Sequence, residues 1–310
     1  MRILLTGATG NAGRALLRHA LAEDLGPVFG IHRSALPPEF LTEFATPLAD
    51  GRVRLIQQDL AELRPDQGPE VDTVIHCAAR RGARRCAADP AAAHRDNVQA
   101  VQRLMDWARA RGPKTFIHCS IHSVYTPGNA PFRESHPTLA TDLQVAAKLE
   151  SEALISEGLG RDVRHLILRL PHFYGAELPS DGVLAAFTRG TRAGELQITG
   201  TGEQTVCFME LRDLADLVFT LLEAPPPSGI YNAASETITV ARLAERFQRI
   251  WQAQGGPPPT LNFTGGPPPP SFGLVCDKLF AVSPWRPRHR LDEWITQALS
   301  PLGSGHTDGG

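Results

Sequence analysis

The stretch RILLTGATGNAGRALLRHALAEDL, Arg2 to Leu25, sets a short apolar run against three evenly spaced glycines and then a helical pattern. RILLT (Arg2–Thr6) reads as a strand, and AGRALLRHALAEDL (Ala12–Leu25) as a helix with one apolar face. Between them stand Gly7, Gly10 and Gly13. That spacing lets the backbone turn sharply and approach a pyrophosphate at the positive end of a helix. Thr9, Asn11 and Ala12 lie in the same turn and belong to the same expected phosphate cradle. A glycine triplet alone is weak evidence. Strand, loop, helix and second strand in this order are the context it needs; the alternative is a tight turn that holds nothing.

Outward from this turn, apolar runs alternate with helical patterns. VFGIH (Val28–His32), RVRLI (Arg52–Ile56), VDTVIHC (Val71–Cys77), KTFIHC (Lys114–Cys119) and RHLILRL (Arg164–Leu170) read as strands. Their near-continuous apolar character suits a parallel sheet covered on both faces. The fold class expected is α/β, a Rossmann-type doubly wound parallel sheet with a smaller C-terminal substrate-binding region. Residues 1–170 make the dinucleotide-binding part, and 210–234 return to it, with GIYNAA (Gly229–Ala234) as a seventh strand. Residues 171–209 and 235–300 make the smaller region. GGPPPTLNFTGGPPPPSFG (Gly255–Gly273) reads as an irregular surface loop around one short strand, and residues 301–310 as a disordered tail.

A chain of 310 residues buries a large core. Its net charge of -2 argues against a nucleic-acid partner, since that affinity relies on concentrated Lys and Arg. The five cysteines, Cys77, Cys86, Cys119, Cys207 and Cys276, form no C-x-x-C pair, so neither a metal site nor a disulfide framework is expected. Cys77 and Cys119 read as small buried hydrophobes. No apolar run reaches the ~20 residues of a membrane span, and a strand begins at once with no signal-like segment. The expectation is a cytoplasmic protein whose partner is a small molecule, with no membrane contact.

The end of the second strand discriminates between coenzymes. An acid there would hold the adenosine ribose and repel a 2′-phosphate. The sequence instead reads His32, Arg33, Ser34. A guanidinium holds phosphate in bidentate fashion, so NADP is expected in preference to NAD; otherwise Arg33 is a solvated loop residue. Asp59, followed by Leu60, is placed to accept from the adenine amino group or to cap the next helix.

Taken together these residues resemble the extended short-chain dehydrogenase/reductase superfamily, the NAD(P)-dependent epimerase/dehydratase group. The resemblance runs from Met1 to about Leu299. TGATGNAG matches the nucleotide loop. VIHCAA (Val74–Ala79) matches the fourth strand and the turn under the cofactor, implicating Ala78 and Ala79. DPAAAHRDNVQAV (Asp89–Val101) carries the asparagine of that family, here Asn97. IHCSIHSVYT (Ile117–Thr126) resembles the serine-rich fifth strand, and LRLPHFYG (Leu168–Gly175) the segment placing Pro171 beside the cofactor. A homodimer is common in this family and is a weak expectation here.

The family's chemistry needs Y-x-x-x-K and a nearby Ser or Thr. The lysine lowers the tyrosine's pKa from about 10 so that the phenol passes a proton to or from substrate. Here the segment reads QVAAK: Lys148 remains, to orient the cofactor, and Gln144 stands in the phenol's place. An amide does not titrate in this range. The Ser/Thr slot holds Ile121. Tyr125, Tyr174 and Tyr231 all occupy positions explained by the fold. His122 and Ser123 follow in the active-site segment, and His122 is either a replacement acid/base or a buried, hydrogen-bonded histidine. His172 stands where the family contacts substrate. Arg80 and Arg81 either clamp an anionic substrate group or pair with surface acids. Val206 replaces an arginine that many sugar-nucleotide enzymes carry, which disfavours a diphosphate.

One general acid contributes about 10²- to 10⁴-fold in rate, so its loss weakens this chemistry without forbidding it. The leading expectation is an atypical NADP(H)-binding oxidoreductase or epimerase/dehydratase-like enzyme acting on a small hydroxylated or carbonyl metabolite. The alternatives are a non-catalytic dinucleotide sensor and an enzyme whose cofactor is structural.

Overall fold

The computed structural model describes residues 1–128, 130–160, 162–176 and 182–300; the expected disordered tail at 301–310 lies outside them. Six strands come first: β1 (Ile3–Thr6), β2 (Val28–His32), β3 (Val53–Gln57), β4 (Thr73–His76), β5 (Thr115–Ile121) and β6 (Arg164–Leu170). Then follow β7 (His172–Tyr174), β8 (Glu195–Thr199), β9 (Thr205–Glu210), β10 (Gly229–Asn232), β11 (Glu236–Thr239) and β12 (Thr260–Thr264).

The central sheet runs β10-β6-β5-β4-β1-β2-β3, with every neighbouring pair parallel. The seventh strand does return to the sheet, beside β6. Strand order reverses between β1 and β4, and the crevice at the carboxyl end of such a reversal is where doubly wound sheets bind ligands.

Two apolar layers explain the near-continuous hydrophobicity of these strands. Leu5, Ile75, Ile117 and Leu168 face the helices Asn11–Ala22 and Leu211–Glu223. Their chain neighbours Leu4, Val74, Phe116 and Ile167 face the helices Ala100–Arg111 and Leu143–Gly158. Alternation of side chains across a strand produces this split. One charged pair is embedded in the second layer: Arg169 holds Glu152 at 2.7 Å, Ser120 donates to the same carboxylate at 2.5 Å, and the Arg169 guanidinium lies 4.7 Å from the Tyr125 ring centroid. With both partners about 95% buried, the pair is held by Nε and Nη2 of Arg169 on the carboxylate, while Nη1 has no hydrogen-bond partner among the described residues.

After residue 171 the short elements form a three-stranded sheet, β11-β9-β7, and a parallel pair, β12 with β8, over a third apolar core. The proline-rich stretch contributes β12 and then runs back against the molecule. Phe272 N–H donates to Thr205 at 2.9 Å, and Phe132 N–H to Gly273 at 2.8 Å. The carboxylate of Asp213, which has no exposed surface, accepts from Ser235 Oγ at 3.0 Å and from the backbone N–H groups of Arg288 and His289 at 3.0 and 3.3 Å. No helix among the described residues is long and apolar enough to cross a membrane.

Candidate active site

The glycine turn fits a pyrophosphate on steric grounds. Gly7 has φ +71°, and a Cβ there would lie 2.8 Å from Ala78 N. A Cβ on Gly13 would lie 2.2 Å from the Gly7 carbonyl, so the helix approaches the strand only because that carbon is missing. Gly10 precedes the helix and its N–H donates to Gly7 O at 3.0 Å. No side chain caps the helix start, which leaves its first N–H groups directed at the crevice.

A cavity of about 440 Å³ opens over this turn. Gly7, Thr9, Gly10, Asn11, Ala12 and Gly13 form one wall. His32, Arg33 and Ser34 with Asp59 and Leu60 form another, and Ala78, Ala79, Arg80 and Arg81 the third. Thirteen of the sixteen positions expected at the cofactor thus share one concavity, together with Arg80 and Arg81. Asn97, Lys148 and Pro171, also expected at the cofactor, do not line it.

Each absence has a physical reason. Asn97 is buried, and its amide is spent on the Arg80 backbone: Oδ1 accepts from Arg80 N–H at 2.7 Å and Nδ2 donates to Arg80 O at 3.1 Å. It shapes the loop after β4 and reaches the cavity only through it. Lys148 is 6% exposed and its Nζ donates to Cys119 O at 2.8 Å, so it lies beneath the cavity floor. Burial pushes its ammonium pKa down. Pro171 is buried between β6 and β7.

Charge at the end of the cavity beside β2 and β3 is shared among residues that sequence alone did not connect. The Arg33 guanidinium lies on Asp96 at 2.5 and 3.2 Å, and Arg80 Nε reaches the same carboxylate at 3.1 Å. Burial opposes the charge on Asp96, but the hydrogen bonds from Arg33 and Arg80 outweigh it and hold its pKa below the ordinary value. Asp59 does cap the turn that follows, accepting from Ala61 N–H at 3.0 Å, while its other oxygen meets Arg95 at 2.8 Å. A wide helical turn, Arg95–Gln99, carries Arg95, Asp96 and Asn97. In a regular helix three consecutive residues would splay around the axis; the wider turn is associated with functional sites.

Arg81 is exposed on the cavity rim with no hydrogen bond or ion pair among the described residues, whereas Arg80 is already paired with Asp96. Gln144 Oε1 accepts from the Gly82 N–H at 2.9 Å, tying the helix Leu143–Gly158 to the loop after β4.

Of the two readings of His122, acid/base or buried and hydrogen-bonded, the geometry fits the second and not the first. β5 ends at Ile121, and a short helical turn, His122–Val124, rotates His122 inward. Its Nδ1 lies 3.0 Å from Leu170 O, and its ring is covered edge-on by His172 and Phe272 at 4.8 and 5.0 Å. Burial first, and the neighbouring His172 second, push its pKa down to about 3. It is a neutral packing histidine near pH 7. Ser123 is half-buried, and its hydroxyl has no hydrogen-bond partner among the described residues. His172 is exposed on β7 above His122. Tyr125, Tyr174 and Tyr231 all spend their hydroxyls on Asn232 Oδ1, His289 O and Pro227 O, respectively. Beneath the site, His76 and His118 stack at 5.2 Å, and burial pushes His76 to about 3.

Phe272 could not be anticipated from the chain, because nothing in a proline-rich loop signals that it folds back onto a histidine in β5's wake. Asp96 carried a weak signal, its adjacency to Asn97.

The comparisons with known proteins agree with this geometry. A family model described as the NAD dependent epimerase/dehydratase family matches residues 3–234. An uncharacterized UDP-glucose epimerase of Bacillus subtilis is 26% identical over 98% of both chains. A dTDP-4-dehydro-6-deoxy-D-allose reductase of Streptomyces bikiniensis is 27% identical over 92% of this chain and 91% of its own. A solved UDP-glucuronic acid 4-epimerase from Bacillus cereus, in complex with UDP-glucuronic acid and NAD, superposes with a TM-score of 0.80 at 22% identity, covering 95% of this chain and 96% of that one.

Proposed function

This chain belongs to the NAD-dependent epimerase/dehydratase family, within the extended short-chain dehydrogenase/reductase superfamily, and from that premise we propose that it is an NADP(H)-using oxidoreductase or epimerase/dehydratase-like enzyme for a small hydroxylated or carbonyl-bearing metabolite. The observation that carries the reading is the glycine turn: two positions where a Cβ would strike backbone, at the mouth of a cavity sited at the strand-order reversal. The bound dinucleotide would supply hydride chemistry. Gly7, Gly10 and Gly13 would hold its pyrophosphate, and Arg33 with Ser34 would meet the 2′-phosphate.

Arg33 supports the NADP(H) preference in a qualified geometry. Its guanidinium leans on Asp96, and Arg33, Arg80 and Arg95 share three carboxylates, Asp59, Glu62 and Asp96. The half-exposed Arg33 guanidinium would have to turn from Asp96 to meet a phosphate, leaving Arg80 on that carboxylate.

At the reacting end the chain offers no titrating phenol. Gln144 braces the loop after β4, and the Ser123 hydroxyl there would relay a proton but not hold one. Arg81 would orient a carboxylate or phosphate on the substrate, and His172 would contact it from β7. The relatives' names specify nucleotide-linked sugars, and a polyhydroxylated sugar fits this polar rim. Val206, packed in β9 opposite Ile238, offers no charge to a diphosphate.

Calorimetry with NADPH and NADH tests the foundation, followed by coenzyme oxidation measured with free keto-sugars and their UDP- and dTDP-linked forms. Heat with NADPH and turnover of a keto-sugar support the reading. No heat with either coenzyme would end it.

A further inference from the structure

Cys77 and Cys119 stand at neighbouring positions on adjacent strands, each one residue beyond the paired His76 and His118. Their sulfurs lie 3.3 Å apart. Both residues are partly accessible, and Cys77 lines the dinucleotide cavity. The other three cysteines are buried. Adjacent strands are about 4.8 Å apart, within the span of roughly 4.4–6.8 Å between α-carbons that a disulfide bridges. Bringing the sulfurs to bonding distance, about 2 Å, therefore asks for side-chain rotation, not for strand separation.

The surroundings favour reactivity. Thiolate is the attacking species in disulfide exchange. The two thiols share a hydrogen bond that holds the Cys119 pKa down against burial, with the Lys148 ammonium acting in the same direction, while the Cys77 pKa rises. Cys207, by contrast, is pushed far up by burial.

We propose that Cys77 and Cys119 form a reversible dithiol–disulfide pair in the floor of the dinucleotide cavity, oxidised by low-molecular-weight disulfides such as glutathione disulfide and covered when a dinucleotide is bound. The covering rests on the coenzyme reading above; the pair itself does not. The Cys119 thiolate attacks one sulfur of glutathione disulfide, forming a mixed disulfide and expelling glutathione thiolate. Cys77 then gives its proton to solvent and attacks the Cys119 sulfur. The Cys77–Cys119 bond forms, the second glutathione leaves, and two electrons have passed from the protein to the oxidant.

The test treats the full chain with glutathione disulfide and follows intact mass and a non-reducing peptide map. The wild type should end two hydrogens lighter, with the Cys77 and Cys119 peptides joined, and reductant should reverse this. Cys77→Ser should stop at one glutathione adduct on Cys119. Saturating NADP⁺ should slow oxidation of the wild type at least tenfold. A wild type that keeps a stable adduct, joins other cysteines, or stays unmodified overturns the pair. Unslowed oxidation while calorimetry records bound NADP⁺ overturns the covering. Calorimetry without heat counts against the coenzyme reading instead, and the peptide map then judges the pair alone.

Discussion

Replacing Arg33 by alanine separates coenzyme selection from coenzyme binding. The Arg33 side chain is 48% exposed, so the dielectric around it is close to that of water. Unit charges about 4 Å apart then interact by about 1 kcal/mol, and a 2′-phosphate carrying nearly two charges gains about 2 kcal/mol. This is within the 1.5–3 kcal/mol typical of hydrogen bonds to charged groups. At 1.4 kcal/mol per tenfold, Arg33→Ala should weaken NADPH binding roughly 30-fold. NADH lacks that phosphate and should change by less than about threefold, a difference of some 0.6 kcal/mol. Asp96 keeps Arg80 as a partner in the variant, so the wall should stand. Titration calorimetry with both coenzymes, at low and at physiological ionic strength, gives the two ratios, and added salt should shrink the NADPH effect. Equal weakening of both coenzymes would mean that Arg33 merely props the wall through Asp96. No change in either would remove it from the site.

Three further outcomes are expected. Gly13→Ala drives a methyl to 2.2 Å from the Gly7 carbonyl and should cost about 3 kcal/mol or more of stability while abolishing coenzyme heat; wild-type affinity in this variant would refute the cradle. Gln144→Tyr removes the acceptor of Gly82 N–H, and the introduced phenol should titrate near its ordinary pKa of about 10, because Lys148 is held by Cys119 O. Ultraviolet titration reads this apart from Tyr125, Tyr174 and Tyr231, whose pKa values burial raises; a phenol titrating below about 8 would show Lys148 acting on it. Finally, His76 and His122 are held near 3 in the fold against 6.5 in the open chain. Between those values the unfolded chain binds more protons, so stability is full above about 6.5 and falls with pH, by up to about 1.4 kcal/mol per unit for each histidine. Urea midpoints unchanged between neutral and mildly acid pH would contradict their burial.

What the chain disclosed about itself follows from how far apart the partners lie. The glycine turn is one contiguous stretch, so the close approach at Gly7 and Gly13 could be read directly, as could the parallel sheet from runs such as RILLT and RHLILRL. The cap role of Asp59 was legible because its partner Ala61 is two residues away. Arg33 and Asp96 are 63 residues apart and Gln144 and Gly82 are 62 apart. Right-handed crossovers bring those segments together at the sheet's carboxyl edge, and no local pattern encodes the meeting. The same holds for Cys77 and Cys119: in sequence each looks like a small core residue, and only strand register makes them neighbours. The choice between the two readings of His122 was illegible for a different reason. Its segment was placed correctly, but the turn that ends β5 rotates the ring into the interior.

Asp213 bears on how the molecule comes apart. Peeling away Arg288 and His289 would leave a carboxylate in a dry interior with the Ser235 hydroxyl still donating to it, a loss of several kcal/mol. The final stretch is thus no detachable appendage. It should melt together with Leu211–Glu223 and, since that helix lies against Asn11–Ala22, with the phosphate cradle too. A ligand seated at the first turn of the chain would then slow amide exchange near its far end, some 280 residues downstream by the numbering of Arg288.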